Sequence, residues 1–129
     1  MTRGNLGLLQ DLIERGVLIH APETVLVEDV DPKRIEPGVE IYPGTTICGS
    51  KTLLRRGTKL GRTGGGYFEN VRTGQDVDLF GGYFKDAVFL DGVKVRGHAE
   101  MRRGTLMEEG SEAAHHVGYK MTITLPYVV

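Results

Sequence analysis

The sequence predicts an all-β fold, a parallel β-helix with eighteen residues in each coil, preceded by a short α-helix. Two observations predict it: apolar residues occupy fourteen of the sixteen positions spaced by six from residue 35 to residue 125, and glycines follow them with the same period. A step of six fits neither the 3.6 residues of a helical turn nor the two-residue alternation of one long strand. Six-residue segments that each hold a short strand and a turn explain both observations.

The composition allows one domain and favours neither a nucleic-acid nor a membrane partner. The 129 residues include 16 basic and 17 acidic side chains, and 40% are apolar. Such a chain can bury one core, while its near-zero net charge supplies no general field for nucleic acid or an anionic membrane. Its single cysteine cannot form an internal disulfide, and no apolar run approaches the roughly 20 residues of a membrane span. We therefore expect a reduced, cytoplasmic setting.

Residues 1–16 are predicted to form the N-terminal helix. Asn5 can cap its start and Gly16 is placed to end it. Five apolar residues fit one helical face, namely Leu6, Leu8, Leu9, Leu12 and Ile13. Residues 17–129 are predicted to form the β-helix, with an irregular first coil because the segment DPKR at 31–34 offsets the repeat.

The six-residue register predicts which side chains line the interior. Of the sixteen positions spaced by six, fourteen are apolar, where composition alone gives about six. The two exceptions, Lys59 and Gly65, adjoin the glycine-rich segment GRTGGGYFEN, which predicts a loop inserted at 61–70. Three hexads close one coil, so residues eighteen apart are expected to stack in one interior column. That column is Ile35, Leu53, Val71, Phe89, Met107 and Leu125.

Glycines mark the predicted corners of the coils. Six of them follow a core position by three residues, namely Gly38, Gly44, Gly74, Gly92, Gly104 and Gly110. A corner often needs a positive φ, which glycine adopts without a steric cost. An antiparallel barrel or sandwich is the alternative, but its longer strands show a two-residue alternation that these hexads rarely sustain.

Two segments carry a resemblance to a known family: LIERGVLIHAPETV at 12–25 and AEMRRGTLMEEGSEAAHHVGYK at 99–120. The hexads resemble the hexapeptide-repeat family, whose fold is a left-handed parallel β-helix. The second segment is similar to the C-terminal half of bacterial enzymes that combine N-acetylglucosamine-1-phosphate uridyltransferase and glucosamine-1-phosphate acetyltransferase activities. Left-handedness is implied by this resemblance, because the spacing itself shows only a coil.

The resemblance assigns the sugar phosphate to Arg102 and Lys120. Since the two residues are eighteen apart, they are expected at one corner of neighbouring coils, about 4.8 Å from each other. A phosphate between them could receive both a forked guanidinium and an ammonium. The alternative is that each is a solvated cation paired with Glu100, Glu108 or Glu109.

Departures from the family motif supply further candidates. Arg103 replaces a proline, and His115 with His116 replace an Asn-Phe pair, which makes all three possible secondary site residues. Adjacent residues on a strand point to opposite faces, so the two histidines cannot both face one ligand without a bend, and a subunit contact is expected for them. We assign no catalytic residue and no metal site.

The resemblance implies an N-acetyltransferase-type domain acting on an amino-sugar 1-phosphate, with a homotrimer as the assembly. The family's catalytic histidine lies about two hexads beyond the lysine, and its acetyl-CoA site lies further still, so both are expected outside this chain. We therefore expect an incomplete β-helix, either a fragment of a longer protein or a relative without the chemistry. The alternatives are a non-catalytic trimerisation or regulatory module of a sugar-phosphate nucleotidyltransferase, and a purely structural solenoid.

A local basic patch lies in KTLLRRGTKLGR. Its cations are Lys51, Arg55, Arg56, Lys59 and Arg62. They could meet a phosphorylated ligand or an acidic neighbour, or they could form a solvated charged face.

Overall fold

The computed structural model shows a β-solenoid of about five turns with a short N-terminal helix, which confirms the predicted all-β parallel fold. The structure describes residues 5–113 and the backbone of residues 3–4, 117–119 and 123–124. None of the helices in these parts of the chain is long and apolar enough to cross a bilayer.

The helix α1 spans Arg3–Glu14 and is followed by short strands. Two of them, β8 and β10, are longer than the rest. The strands are β1 Leu18–Ile19, β2 Leu26–Glu28, β3 Glu40–Ile41, β4 Thr46–Cys48, β5 Lys59–Leu60, β6 Gly66–Glu69, β7 Arg72–Thr73, β8 Asp78–Lys85, β9 Val88–Phe89, β10 Lys94–Met101, β11 Leu106–Met107, β12 Glu112–Ala113, β13 Val117–Tyr119 and β14 Ile123–Thr124. The irregular first coil contains two 3₁₀ turns, at Pro22–Thr24 and Pro32–Arg34, as the offset at DPKR predicts.

The strands stack in parallel on three faces. Face A holds β1, β3, β5, the first half of β8, the first half of β10, and β12. Face B holds β2, β4, β6, the second halves of β8 and β10, and β13. Face C holds β7, β9, β11 and β14. The long strands β8 and β10 therefore bend from face A to face B, at Gly82 and Gly97, whose φ angles are +115° and +72°.

The predicted interior column is wrong between Ile35 and Phe89. Ile35 pairs with Leu54, which is fully buried, whereas Leu53 pairs with the exposed Arg72. Thr73, not Val71, is in register with Phe89. Likewise Leu60 and Phe84 are fully buried, whereas their neighbours Lys59 and Tyr83 are not.

The cause is a set of unequal steps that cancel. The buried residues Ile47 and Leu54 are seven apart and Leu60 and Phe68 are eight apart. Three later steps, from Phe68 to Thr73, from Leu79 to Phe84 and from Phe84 to Phe89, are only five residues long. From Phe89 onward the step is six, and the buried residues are Phe89, Val95, Met101, Met107 and Ala113. The pairs there are eighteen apart, as in Lys94 with Glu112.

The helix α1 packs on the first coil through Leu9 and Leu12, which are 1% and 0% exposed. Asn5 does not cap it, because the helix already begins at Arg3. Instead its buried side chain donates to Val25 O over 3.2 Å and accepts from Val27 N over 2.8 Å. Leu6 and Ile13, which the sequence places on the apolar face, are 47% and 44% exposed, since the packed side of the helix is centred on Asn5, Leu9 and Leu12. Gly16 ends the helix with a φ of +102°, as predicted.

The glycine-rich turn is shorter than the predicted loop at 61–70. It covers residues 61–65, because Gly66–Glu69 form β6 between two neighbouring strands. Five of the six predicted corner glycines have positive φ angles, the exception being Gly74. A Cβ on Gly74 would lie 2.1 Å from Asp91 Oδ1, so this glycine is required by a close approach.

Candidate functional site

The corner between faces B and C carries the candidate site, and its length differs between coils. We define the B/C corner as residues 49–52, 70–71, 86–87 and 102–105, which join the end of face B to the start of face C in four successive coils. Four residues turn the first and last of these corners, but only two turn each of the middle ones. The two short corners therefore form a recess between the two longer corners.

The short corners depend on a left-handed backbone. Asn70 and Asp86 both have a φ of +52°, a region that asparagine and aspartate tolerate better than most residues. Their amides donate to Cys48 O and Glu69 O in the preceding coil, both over 2.9 Å. Asn70 Oδ1 also accepts from the amide of Lys51 over 3.1 Å, so the side chain of this corner holds the backbone of the preceding one.

The recess is a cleft of about 490 Å³ with a basic lining. Its charged side chains are Lys51, Arg72, Lys85 and Arg103, with Glu69 and Asp86. Lys85 Nζ lies 3.6 Å from Glu69 Oε2, and Arg103 Nε lies 3.8 Å from Asp86 Oδ2. Lys51 and Arg72 form no ion pair with another side chain of the described residues. The cleft therefore has an excess of positive charge.

Arg102 is the first residue of the last of these corners and does not line the cleft. It follows Met101 of β10, which pairs with Phe84 on one side and with Tyr119 on the other. Its guanidinium bonds to Glu100 two residues earlier, and these side chains are 58% and 54% exposed. In this structure Arg102 is therefore a solvated cation paired with Glu100, which is the alternative to phosphate binding.

The remaining predicted site residues divide into two groups. Arg103 lines the cleft and is 84% exposed. Lys120, His115 and His116 lie outside the described residues, so their assignments stay predictions.

A hydrogen-bonded chain beside the cleft was not anticipated. Cys48 Sγ donates to the Tyr67 hydroxyl over 3.4 Å, and that hydroxyl donates to Glu69 Oε1 over 2.6 Å. These two bonds raise the pKa of Tyr67, while burial raises the pKa of the Cys48 thiol. Tyr67 also stacks on Tyr83 with centroids 5.1 Å apart. Glu69 is therefore held in place beside Lys85.

A second cleft, of about 510 Å³, lies on face A and has a different charge arrangement. Arg62 lies over the Tyr42 and Phe80 rings and donates to Asp78 Oδ2 over 2.7 Å. Asp78 Oδ1 is buried with no hydrogen-bond partner among the described residues, and burial raises the pKa of Asp78. Arg96, also on this cleft, lies 3.5 Å from Glu112. Both arginines of this cleft are already paired, whereas Lys59 and Lys94, which also line it, form no ion pair within the described residues. Each of the two clefts therefore offers two unpaired cations.

The basic patch of the sequence is thus not one surface. Lys51 faces the B/C corner, whereas Lys59 and Arg62 line the cleft on face A. Arg55 Nε lies 3.7 Å from Glu36 Oε2.

A three-faced parallel solenoid with six-residue steps defines a hexapeptide-repeat β-solenoid, and the predicted resemblance is confirmed. The chain is similar to the C-terminal region of the bifunctional protein GlmU. It is 30% identical over 105 residues to GlmU of Streptococcus agalactiae serotype V, which covers 81% of this chain and 22% of the relative. It is 34% identical over 111 residues to GlmU of Nitratidesulfovibrio vulgaris strain DP4, covering 84% and 23%.

The chain therefore spans less than a quarter of the length of these curated relatives. No protein-family model matches it, and no solved structure matches it significantly.

Proposed function

We propose that the chain is the β-helix domain of a sugar-nucleotide biosynthesis protein and that it binds the phosphate of an amino-sugar 1-phosphate through Arg102 and Lys120. The observation that carries the proposal is the pairing of Met101 with Tyr119. Arg102 and Lys120 are the next residues on these two segments, and neighbouring coils are about 4.8 Å apart. The similarity to GlmU over more than four-fifths of the chain supports the same conclusion.

The present partner of Arg102 does not oppose this role. Both Arg102 and Glu100 are more than half exposed, and an exposed ion pair is worth about 0–1 kcal/mol. A phosphate dianion offers the guanidinium a more highly charged, bidentate partner.

The reaction we propose is acetyl transfer to the amino group of the bound sugar. Acetyl-CoA, assigned by the resemblance alone, would supply a thioester whose acetyl carbon bonds to the amine nitrogen as its bond to sulfur breaks. The amine proton would pass to a general base outside the described residues. A homotrimer in the cytoplasm completes the proposal, because flat solenoid faces can pack around a threefold axis.

Calorimetry of the full chain tests the binding step. We expect glucosamine-1-phosphate to bind and glucosamine, which lacks the phosphate, to give no measurable heat. Arg102→Gln and Lys120→Gln are each expected to weaken binding about tenfold, the effect of losing one charge-assisted contact. Arg96→Gln on face A is the matched control and is expected to bind as the unaltered chain does. Unchanged affinity in both Arg102→Gln and Lys120→Gln would overturn the assignment.

Release of free coenzyme A from acetyl-CoA separates the two functions that share this binding step. Release that depends on glucosamine-1-phosphate supports the acetyltransferase. Binding of the sugar phosphate without release supports the non-catalytic module.

A further inference from the structure

We propose that the cleft at the B/C corner is a separate binding site for a ligand that carries a diphosphate group. Its cations are Lys51, Arg72, Lys85 and Arg103. Arg102 does not belong to this set, so the inference goes beyond the proposed function.

The arrangement of the cations along the solenoid axis indicates the size of the anion. Each of four successive coils contributes one cation, and coils are spaced about 4.8 Å apart. The first and last of the four coils are therefore separated by three steps, or roughly 14 Å. A single phosphate can bridge the cations of two neighbouring coils, but two linked phosphates are needed to contact the cations of all four coils.

The shape of the cleft results from the different lengths of the corners and does not depend on its charges. The two-residue corners at 70–71 and 86–87 form its floor, and the four-residue corners that carry Lys51 and Arg103 form its ends. A volume of about 490 Å³ admits a diphosphate together with part of an attached group. The lining includes one apolar side chain, Val88, so recognition would depend on the phosphates.

The carboxylates of the cleft leave the charge unbalanced at one end. Glu69 is engaged by the Tyr67 hydroxyl and by Lys85, and Asp86 lies near Arg103. In the preceding coil the residue equivalent to Asp86 is the neutral Asn70. Near Asn70, Lys51 and Arg72 form no ion pair within the described part of the chain. These two cations are available to an incoming anion without the loss of an existing ion pair.

Calorimetric titration of the full chain with inorganic pyrophosphate, and separately with orthophosphate, tests the inference. Pyrophosphate is expected to bind about tenfold or more tightly than orthophosphate, because it reaches cations of more coils. Lys51→Gln and Arg72→Gln are each expected to weaken pyrophosphate binding about tenfold. Asp86→Asn is expected to strengthen it about threefold, because a like charge is removed and Arg103 is released. A purely structural role for Asp86 would not produce that gain.

Two controls keep this site distinct from the proposed function. Arg96→Gln on face A is expected to leave pyrophosphate binding unchanged, and Arg102→Gln to change it by less than about threefold. Equal affinities for the two anions, or no effect of Lys51→Gln and Arg72→Gln, would overturn the inference. Loss of pyrophosphate binding in Arg102→Gln alone would overturn it too, by placing the anion at the sugar-phosphate site. Circular dichroism melts of each variant show whether the fold is retained.

Discussion

The rings of Phe68 and Phe84 stack inside face B with centroids 4.9 Å apart and 9° between their planes. They come from neighbouring coils, and both are fully buried. Phe89 meets Phe84 edge-on, with centroids 5.9 Å apart and 72° between the planes. The three rings thus join two faces of the interior at the coils where the B/C corner is shortest.

Replacing Phe84 by alanine should be costly. We expect Phe84→Ala to lower the free energy of unfolding by about 3–5 kcal/mol, since it removes a buried ring and leaves a cavity. Tyr83→Ala is the matched control, because Tyr83 is 38% exposed and stacks on Tyr67 at the surface, where a pair contributes about 1 kcal/mol. Urea unfolding measures both, and equal costs would contradict the burial of Phe84 and the exposure of Tyr83.

Gly82 and Gly7 should respond to alanine in opposite directions. A Cβ on Gly82, whose φ is +115°, would lie 2.0 Å from Ala99 O, so Gly82→Ala is expected to cost at least about 2 kcal/mol. Gly7 lies within α1, where a Cβ meets nothing within 4 Å, and Gly7→Ala is expected to stabilise by about 0.5–1 kcal/mol. Thermal unfolding gives the sign of each change. A stable Gly82→Ala variant would show that β8 and β10 are further apart at this bend than the structure has them.

Glu40 should make stability depend on pH in the acid range. Its Oε2 lies 2.6 Å from His20 Nε2, and this hydrogen bond is the main cause that lowers the pKa of Glu40. Because the folded pKa lies below the unfolded one, the contribution is complete above the ordinary glutamate pKa and is lost as the pH falls through the lowered value. Since His20 is nearly half exposed, we expect a contribution below about 1 kcal/mol.

The measurement is the difference in unfolding free energy between the unaltered chain and Glu40→Gln at pH 6, 5, 4 and 3. It should be largest at pH 5 to 6 and should shrink below pH 4. Glu23→Gln, at an exposed position, serves as the control for loss of one negative charge. A difference that grows towards pH 3 would contradict the sign argued here.

The six-residue period was sufficient to predict parallel coils because it reports which side chains are buried in each face. The period could not decide which of two adjacent apolar residues points into the interior. Leu53 and Leu54, or Tyr83 and Phe84, satisfy the pattern equally well, and the choice between them depends on corner lengths that differ from coil to coil. Asn5 illustrates a second limit, because its hydrogen-bond partners, Val25 just before β2 and Val27 within it, are 20 and 22 residues away.

The candidate site was predictable only where a motif named its residues. Arg102 came from the motif, but Arg72 and Lys85 were missed, because they join Arg103 only once the two short corners bring their coils into register. Lys51 was grouped with Arg55 by sequence distance, although Arg55 pairs with Glu36 away from the corner. A sequence signal existed in the five-residue steps before Thr73 and Phe89, which shorten those corners.

The location of the bound sugar phosphate tests the central proposal most directly. We suggest titrating the ¹⁵N-labelled full chain with glucosamine-1-phosphate and following the amide chemical shifts by NMR. We expect the largest changes at residues 100–105 and 118–121, around Arg102 and Lys120. Largest changes at residues 57–62 and 94–96 on face A, or no change at saturating ligand, would contradict it.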